Sequence, residues 1–300
     1  MSLNAYQVAC TVAEEKSFVS AARVLHITPS AVSHCISSLE TRFGLLLFKR
    51  DNHGAALTTE GRRLISYFQS ILETEECLNQ EVALMQKLDI GTVKIGVFNS
   101  ACASWMPDII QTFRAQFPRI EIVLYQGGYD VLASWLENKT VDLAITSISC
   151  ADDTMNVTQL YRDQMVCIAR QGFTPIHGTY VTGQDLKNTP LISMRPGDDS
   201  DAQNVLRHMQ VDPVTPIQAM DDMSIVALVK CGMGHCILSR LLMDLFPKDY
   251  LSDLRIFPFE PPEYRTICLV HPKTSRLSPA VYRMKQHIID FMAKKQPPHS

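Results

Sequence analysis

The hydrophobic spacing of this 300-residue chain changes character once, near residue 90. Before that point apolar residues recur at helical intervals, interrupted by one turn-rich stretch at 51–55. After it, alternating runs and helical runs take turns. A chain patterned in this way is expected to build a small helical unit with one hairpin, followed by a larger α/β unit with its own core.

In the first part, Leu3, Tyr6, Val8 and Val12 share a face of one helix. A second helix is predicted from about residue 18 to 25, with Ser17 as N-cap and Ala21, Ala22 and Leu25 at close-packing positions. A third begins with Thr28 as N-cap and Pro29 at the first helical position, where a missing N–H costs nothing. It carries Val32, Ile36, Leu39 and Phe43 at helical spacing and ends at Gly44. Two short helices joined by a turn at His26-Ile27 are a helix-turn-helix, whose second helix enters the DNA major groove. The face it would offer there is Thr28, Ser30, Ser33, His34 and Ser37, short donors that approach phosphates and base edges closely.

Charge agrees with this placement once it is read by segment. The whole chain carries a net charge of -3 and so gives no sign of a nucleic-acid partner. Residues 16–63, however, hold seven basic positions (16, 23, 42, 49, 50, 62, 63) against three acidic ones (40, 51, 60), an excess of four. Leu46-Leu47-Phe48-Lys49-Arg50, the turn 51–54 and Ala56-Leu57-Thr58 read as a small hairpin, a wing with Lys49, Arg50 and His53 at its tip. Thr58 or Thr59 then caps a long helix in which Leu64, Phe68, Ile71, Glu75, Leu78, Val82 and Met85 fall at alternating steps of four and three, a heptad seam that wants a partner. Glu73, Glu75, Glu76 and Glu81 form a solvated flank, and Asp89-Ile90-Gly91 closes the helix.

From residue 92 strand and helix alternate: strands at 93–98, 120–125 and 141–145 enclose helices at 100–117 and 129–138. Later strands are predicted at 165–169, 190–194, 215–220, 236–238 and 266–270, with helices near 201–209, 223–231 and 279–294. The repeat implies parallel sheets in two α/β lobes, with ligands at the carboxyl ends of the strands.

At this point the chain resembles the LysR-type transcriptional regulators. The residues that carry the match are Ser17-Phe18, Ala21-Ala22, Leu25, the run Thr28-Pro29-Ser30-Ala31-Val32-Ser33, Ile36, Leu39-Glu40, Phe43-Gly44, Leu47-Phe48-Lys49-Arg50 and Leu57-Thr58-Thr59-Glu60-Gly61. Weaker points of likeness follow at Pro107, Phe117-Pro118, 141–145 and Cys231-Gly232-Met233-Gly234. The resemblance implies a winged helix-turn-helix over 1–58, a dimerising linker helix over 59–90 and an effector domain over 91–300 folded like a periplasmic binding protein. Its lobe I would take about 91–161 and 266–300, and lobe II about 162–265. It further implies a homodimer or homotetramer on double-stranded DNA at an imperfect inverted repeat, with RNA polymerase as a further contact. Carried over by position, the DNA surface is Thr28, Pro29, Ser30, Ser33, His34, Arg50 and Thr58. His34, Cys35, His235 and Ser239 depart from the family's usual residues, the last where a proline is expected.

An effector between the lobes would meet the strand-to-helix turns Asn99-Ser100-Ala101, Gly127-Gly128, Thr146-Ser147 and Met194-Arg195-Pro196-Gly197, where free backbone N–H groups favour an anion. Ser100, Ala101, Thr146, Ser147 and Arg195 are therefore the candidate effector contacts. Ser100 and Arg195 have plainer readings, Ser100 as an N-cap and Arg195 as the partner of Asp198 or Asp199 in a surface ion pair. Asp221 and Asp222 are adjacent and point different ways, which argues against a catalytic pair and for one of them capping the next helix.

Other classes find less support. No nucleophile elbow, phosphate-binding glycine loop or metal-ligand spacing is present, so neither an enzyme nor a cofactor or metal is expected. A solute-binding protein would share the two lobes but would need an export signal and would not use residues 1–60; none opens the chain, and the cytoplasm is the expected compartment. The nine cysteines, at 10, 35, 77, 102, 150, 167, 231, 236 and 268, lack zinc-site spacing. The remaining alternative is a DNA-binding regulator switched by cysteine oxidation, for which Cys102, one turn into a helix, is the candidate.

Overall fold

Ser17 and Thr28 start their helices as the sequence predicts: Ser17 Oγ accepts from Ser20 N at 3.2 Å, and Thr28 Oγ1 from Ala31 N at 3.2 Å. These contacts come from a computed structural model, which describes residues 4–51, 54–85, 89–187, 189–194, 200–212, 214, 217–219, 221–274 and 276–295, with backbone alone at 4, 50, 51 and 54. The chain divides into two compact units, Met1–Leu88 and Asp89–Ser300.

The first unit runs α1 (Asn4–Glu15), α2 (Phe18–Val24), α3 (Pro29–Phe43), β1 (Phe48–Asp51), β2 (Gly54–Leu57) and α4 (Thr59–Met85). Gly44 ends α3 in the left-handed region at φ 66°, where a side chain would be strained. Val8, Val12, Ala21, Ala22, Val32, Ile36, Leu39 and Leu47 close one small core, into which α4 contributes Ile65 and Phe68. The Phe68 ring stacks on Tyr6 at 4.7 Å and on Phe43 at 5.8 Å. The heptad seam therefore splits. Its first apolar members are spent inside this core, whereas Ile71, Leu78, Val82 and Met85 remain exposed.

The second unit is built on two long antiparallel strands, β6 (Met155–Arg170) and β11 (Tyr264–Pro272); β11 pairs with residues 155–164 of β6, with one register shift at Ile267/Cys268. On one side the sheet continues through β5 (Leu143–Ser147), β3 (Gly91–Val97) and β4 (Ile120–Gln126); the pairs of β3 with β4 and β5 are parallel. Helices α5 (Asn99–Gln116) and α11 (Pro279–Lys295) pack on one face, over Val93, Ile95, Val97, Leu143, Ile145, Ile267 and Leu269. Helix α6 (Tyr129–Glu137) covers the other, where Ala144, Cys268 and Val270 point. The period of two along each strand sets these faces.

The far half of β6 belongs to a second frame, with β10 (Leu254–Pro258) on one edge and β9 (Cys236–Ser239) on the other. A bridge from Leu191 to His235 extends it to the parallel pair β7 (Ile192–Met194) and β8 (Ile217–Ala219). Val166 and Ile168 face α9 (Asp222–Lys230) and α10 (Arg240–Met243), and Met165 and Cys167 face the side of α7 (Gly183–Leu186) and α8 (Ser200–His208). Strand β10 and the first half of β6 were not among the predicted strands. No helix among the described residues is long and apolar enough to cross a membrane.

Candidate functional site

In the first unit, the start of α3 is open to solvent. Thr28, Pro29, Ser30, His34 and Ser37 are exposed and Ser33 is half-buried, while Val32, Ile36 and Leu39 hold the opposite face in the core. Thr28 Oγ1 and Ser30 Oγ lie 2.9 Å apart, so the hydroxyls at the helix start are partly ordered before any partner arrives. Glu40, on the same helix, accepts from Leu47 N at 2.7 Å and Phe48 N at 3.2 Å through one carboxylate oxygen and so fixes the hairpin beside α3. Lys49 is exposed on β1; Arg50 follows it in the strand, and His53 lies outside the described residues.

Thr58 requires a correction. Expected on the DNA surface through the resemblance, it is 5% exposed. Its hydroxyl donates to Leu46 O at 2.7 Å and accepts from Gly61 N at 2.8 Å. It therefore caps α4 and ties that helix to the hairpin from beneath, instead of reaching outward.

In the second unit a cleft of about 520 Å³ lies between the two frames, a size suited to a small molecule. Phe98, Asn99, Ser100, Gln126, Gly127, Gly128 and Tyr129 line it from one frame; Met194, Asp221, Asp222, Leu238, Ser239 and Leu242 from the other; and Met165 and Arg265 from the shared strands. The turns at 99–100 and 127–128 and Met194 are where the sequence placed them.

Arg265 is the centre of the polar part. Its Nε donates to Asp163 Oδ2 at 2.9 Å, its Nη1 to Tyr129 Oη at 3.1 Å, and its Nη2 to Ser100 Oγ at 2.9 Å and Ser239 Oγ at 2.7 Å. The guanidinium is 2.8 Å from Asp163 and 3.8 Å from Asp201, and its plane sits 4.9 Å from the Phe98 ring centroid. Asp201, on α8, accepts from Tyr129 Oη and from Ser147 Oγ, each at 2.7 Å, joining the two frames. Ser239 also caps α10 through Leu242 N at 3.2 Å. A proline there, as in the resemblance, would have no hydroxyl for either bond.

Asp221 and Asp222 share the cleft but differ in environment. Asp221 is the N-cap of α9; Ser224 N and Ser224 Oγ donate to it, and these bonds hold its carboxyl below the ordinary range. Asp222 is 8% exposed, and burial pushes its carboxyl up, against a lowering effect from Asn99 and Arg265. Asn99 Nδ2 donates to Asp222 Oδ2 at 2.7 Å across the cleft, and Gln126 Nε2 donates to Asn99 Oδ1 at 3.0 Å.

The candidate effector contacts are thus sorted by the sheet. Ser100 lines the cleft, but the N-cap of α5 is Phe98, and the Ser100 hydroxyl is engaged by Arg265. Ser147 is buried on Asp201. Ala101, on the inner face of α5, is fully buried in the core, and Thr146 is buried on the opposite strand face from Ser147; neither lines the cleft. Arg195 lies outside the described residues. Arg265, Asp163 and Asp201 were not singled out from sequence, and Asn99 was named only as part of the turn at 99–101. The usable signal was a lone arginine immediately before the apolar run 266–270.

The surroundings of Cys102 do not favour the oxidation alternative. Burial pushes Cys167 up to about 12 and Cys268 to about 11, and it raises Cys102 and Cys150 as well. Mass spectrometry after mild peroxide is expected to find these four thiols unmodified; rapid sulfenic acid formation at Cys102 would reverse that conclusion.

One unit offers an exposed helix start beside a hairpin, and the other a cleft of small-molecule size between two α/β frames. Residues 3–62 match the family described as "Bacterial regulatory helix-turn-helix protein, lysR family", and residues 86–293 match "LysR substrate binding domain". The chain belongs to the LysR family of transcriptional regulators. It is 27% identical over 279 residues to the uncharacterized HTH-type transcriptional regulator YvbU of Bacillus subtilis (strain 168), covering 93% of this chain and 94% of that relative. Among solved structures, a full-length OxyR from Pseudomonas aeruginosa is similar with a TM-score of 0.75 at 17% identity, over 97% of each chain. Full-length CbnR complexed with its target DNA is similar with a TM-score of 0.65 at 17% identity, over 97% of this chain and 100% of that one. At these identities the two structures speak for the fold alone.

Proposed function

We propose that this regulator acts in the cytoplasm as a homodimer or homotetramer that sets two α3 helices into successive major grooves of an imperfect inverted repeat in double-stranded DNA. The contacts are Thr28, Pro29, Ser30, Ser33 and His34 on α3 and Arg50 on the wing. A small-molecule effector in the cleft alters subunit spacing, and through it DNA bend and contact with RNA polymerase. The observation that carries this reading is the exposed hydroxyl-rich start of α3 beside a hairpin anchored by Glu40. The exposed Ile71, Leu78, Val82 and Met85 support pairing through α4. CbnR, similar in fold, is solved in complex with its target DNA, which is consistent with DNA as the partner of this fold.

The test is a salt-titrated binding assay of the purified protein on the DNA immediately upstream of its own gene. Arg50→Ala is expected to weaken binding about equally across sequences and to reduce the salt slope by about one. Substitution of Ser33 or His34 is expected to change preference among sites. An Arg50→Ala protein with unaltered affinity and salt slope would remove the wing from the DNA surface.

A further inference from the structure

Resting on that reading of the cleft, we propose that the effector carries a protonated primary amine, received by Asp222, on a short apolar body. Among the described residues, the charged groups at the polar end are Asp163, Asp201 and Asp222 against the single cation Arg265, with Asp221 at the rim. Arg265 is already held by Asp163, approaches Asp201, and donates to Ser100, Tyr129 and Ser239. The carboxylate left over is Asp222. It is more than nine-tenths buried, lines the cleft, and has one donor, Asn99 Nδ2 on Oδ2; no described residue donates to Oδ1.

A carboxylate oxygen that lines the cleft without a protein donor is open to one from a ligand, whereas an anionic ligand set against it adds repulsion in a low-dielectric site. An ammonium group supplies three donors and the missing charge. The oxygen of Gln126 can take a further N–H, because its bond to Asn99 uses only the side-chain nitrogen. Phe98, Met165, Met194, Leu238 and Leu242 leave an apolar space for the rest of the molecule. The helix starts of α5 and α6 have no side-chain cap. A carboxylate on the same ligand would be accommodated there, so a simple amine and an amino acid both present the required chemistry.

The experiment is calorimetric titration of the full-length protein at neutral pH with three matched probes: leucine, isopentylamine, which lacks its carboxylate, and isocaproate, which lacks its amine. Isopentylamine or leucine is expected to bind and isocaproate not to bind, and Asp222→Asn is expected to weaken the amine at least about tenfold, the effect of losing one charged hydrogen bond. Isocaproate binding as tightly as the amines, failure of both amines to bind, or an amine affinity unchanged in Asp222→Asn would each overturn the proposal. The wild-type comparison stands even if the variant misfolds. Repeating the DNA-binding assay with each probe separates the two readings. Isocaproate that alters DNA binding rejects the amine and keeps the regulated cleft; an amine bound through Asp222 without effect on DNA keeps the amine site and rejects the cleft as the regulatory one.

Discussion

Arg265→Met is expected to destabilise the second unit by about 3–5 kcal/mol, the cost of breaking a buried ion pair by removing one partner. The guanidinium is 9% exposed, and Asp163 and Asp201 are 1% and 4% exposed, so water does not take its place readily. Methionine keeps much of the volume but leaves Asp163 Oδ2, Ser100 Oγ and Ser239 Oγ without the donors that Arg265 provides. For a unit of this size each kcal/mol is worth about 2–4 °C, so the midpoint of thermal unfolding should fall by roughly 10 °C. Pairing Arg265→Met with Asp163→Asn should recover part of the loss, because the double variant no longer buries that uncompensated charge. Scanning calorimetry of the three proteins decides the matter: an unchanged midpoint for Arg265→Met would mean that the network does not hold the two frames together.

That network also marks where sequence reasoning reached its limit. Caps are local, and Ser17, Thr28 and Gly44 were legible because each acts on residues within one turn. The faces of β3 were legible for a similar reason, since Val93, Ile95 and Val97 repeat every second residue. Arg265 and Asp163 are opposed only through the register of two strands a hundred residues apart, which no local pattern encodes. The same period of two explains the division between Thr146 and Ser147: both stand at the end of β5, but adjacent residues face opposite sides, and only Ser147 reaches Asp201. The first half of β6 is not legible as a strand because Asn156, Thr158 and Gln159 give it a polar look. It is a strand because β11 pairs with it, not because of its own composition. In the DNA-binding unit the limit was different. Position within a motif placed Thr58 at the right spot in the chain but did not reveal that its hydroxyl points inward.

Gly61→Ala is expected to damage the DNA-binding unit although alanine is the better helix former by about 1 kcal/mol. Gly61 lies in the first turn of α4, and a Cβ there would fall well inside van der Waals contact with the Leu47 carbonyl oxygen. That carbonyl cannot simply move aside. It accepts from Thr58 N at 3.0 Å, and the N–H groups of Leu47 and Phe48 are held by Glu40 of α3. Relief of the clash must therefore shift α4 away from the hairpin or displace β1, and either movement carries Lys49 and Arg50 away from the face of α3. Overpacking of this kind costs about 1–3 kcal/mol, enough to cancel the propensity gain and reverse its sign. DNA affinity should fall by at least about tenfold, because the wing and α3 would no longer meet one duplex together. Ligand binding in the second unit should remain as in the wild type, since the clash lies wholly within the first. A Gly61→Ala protein that unfolds no earlier and binds its site equally well would show that α4 and the hairpin have slack that their hydrogen bonds do not reveal.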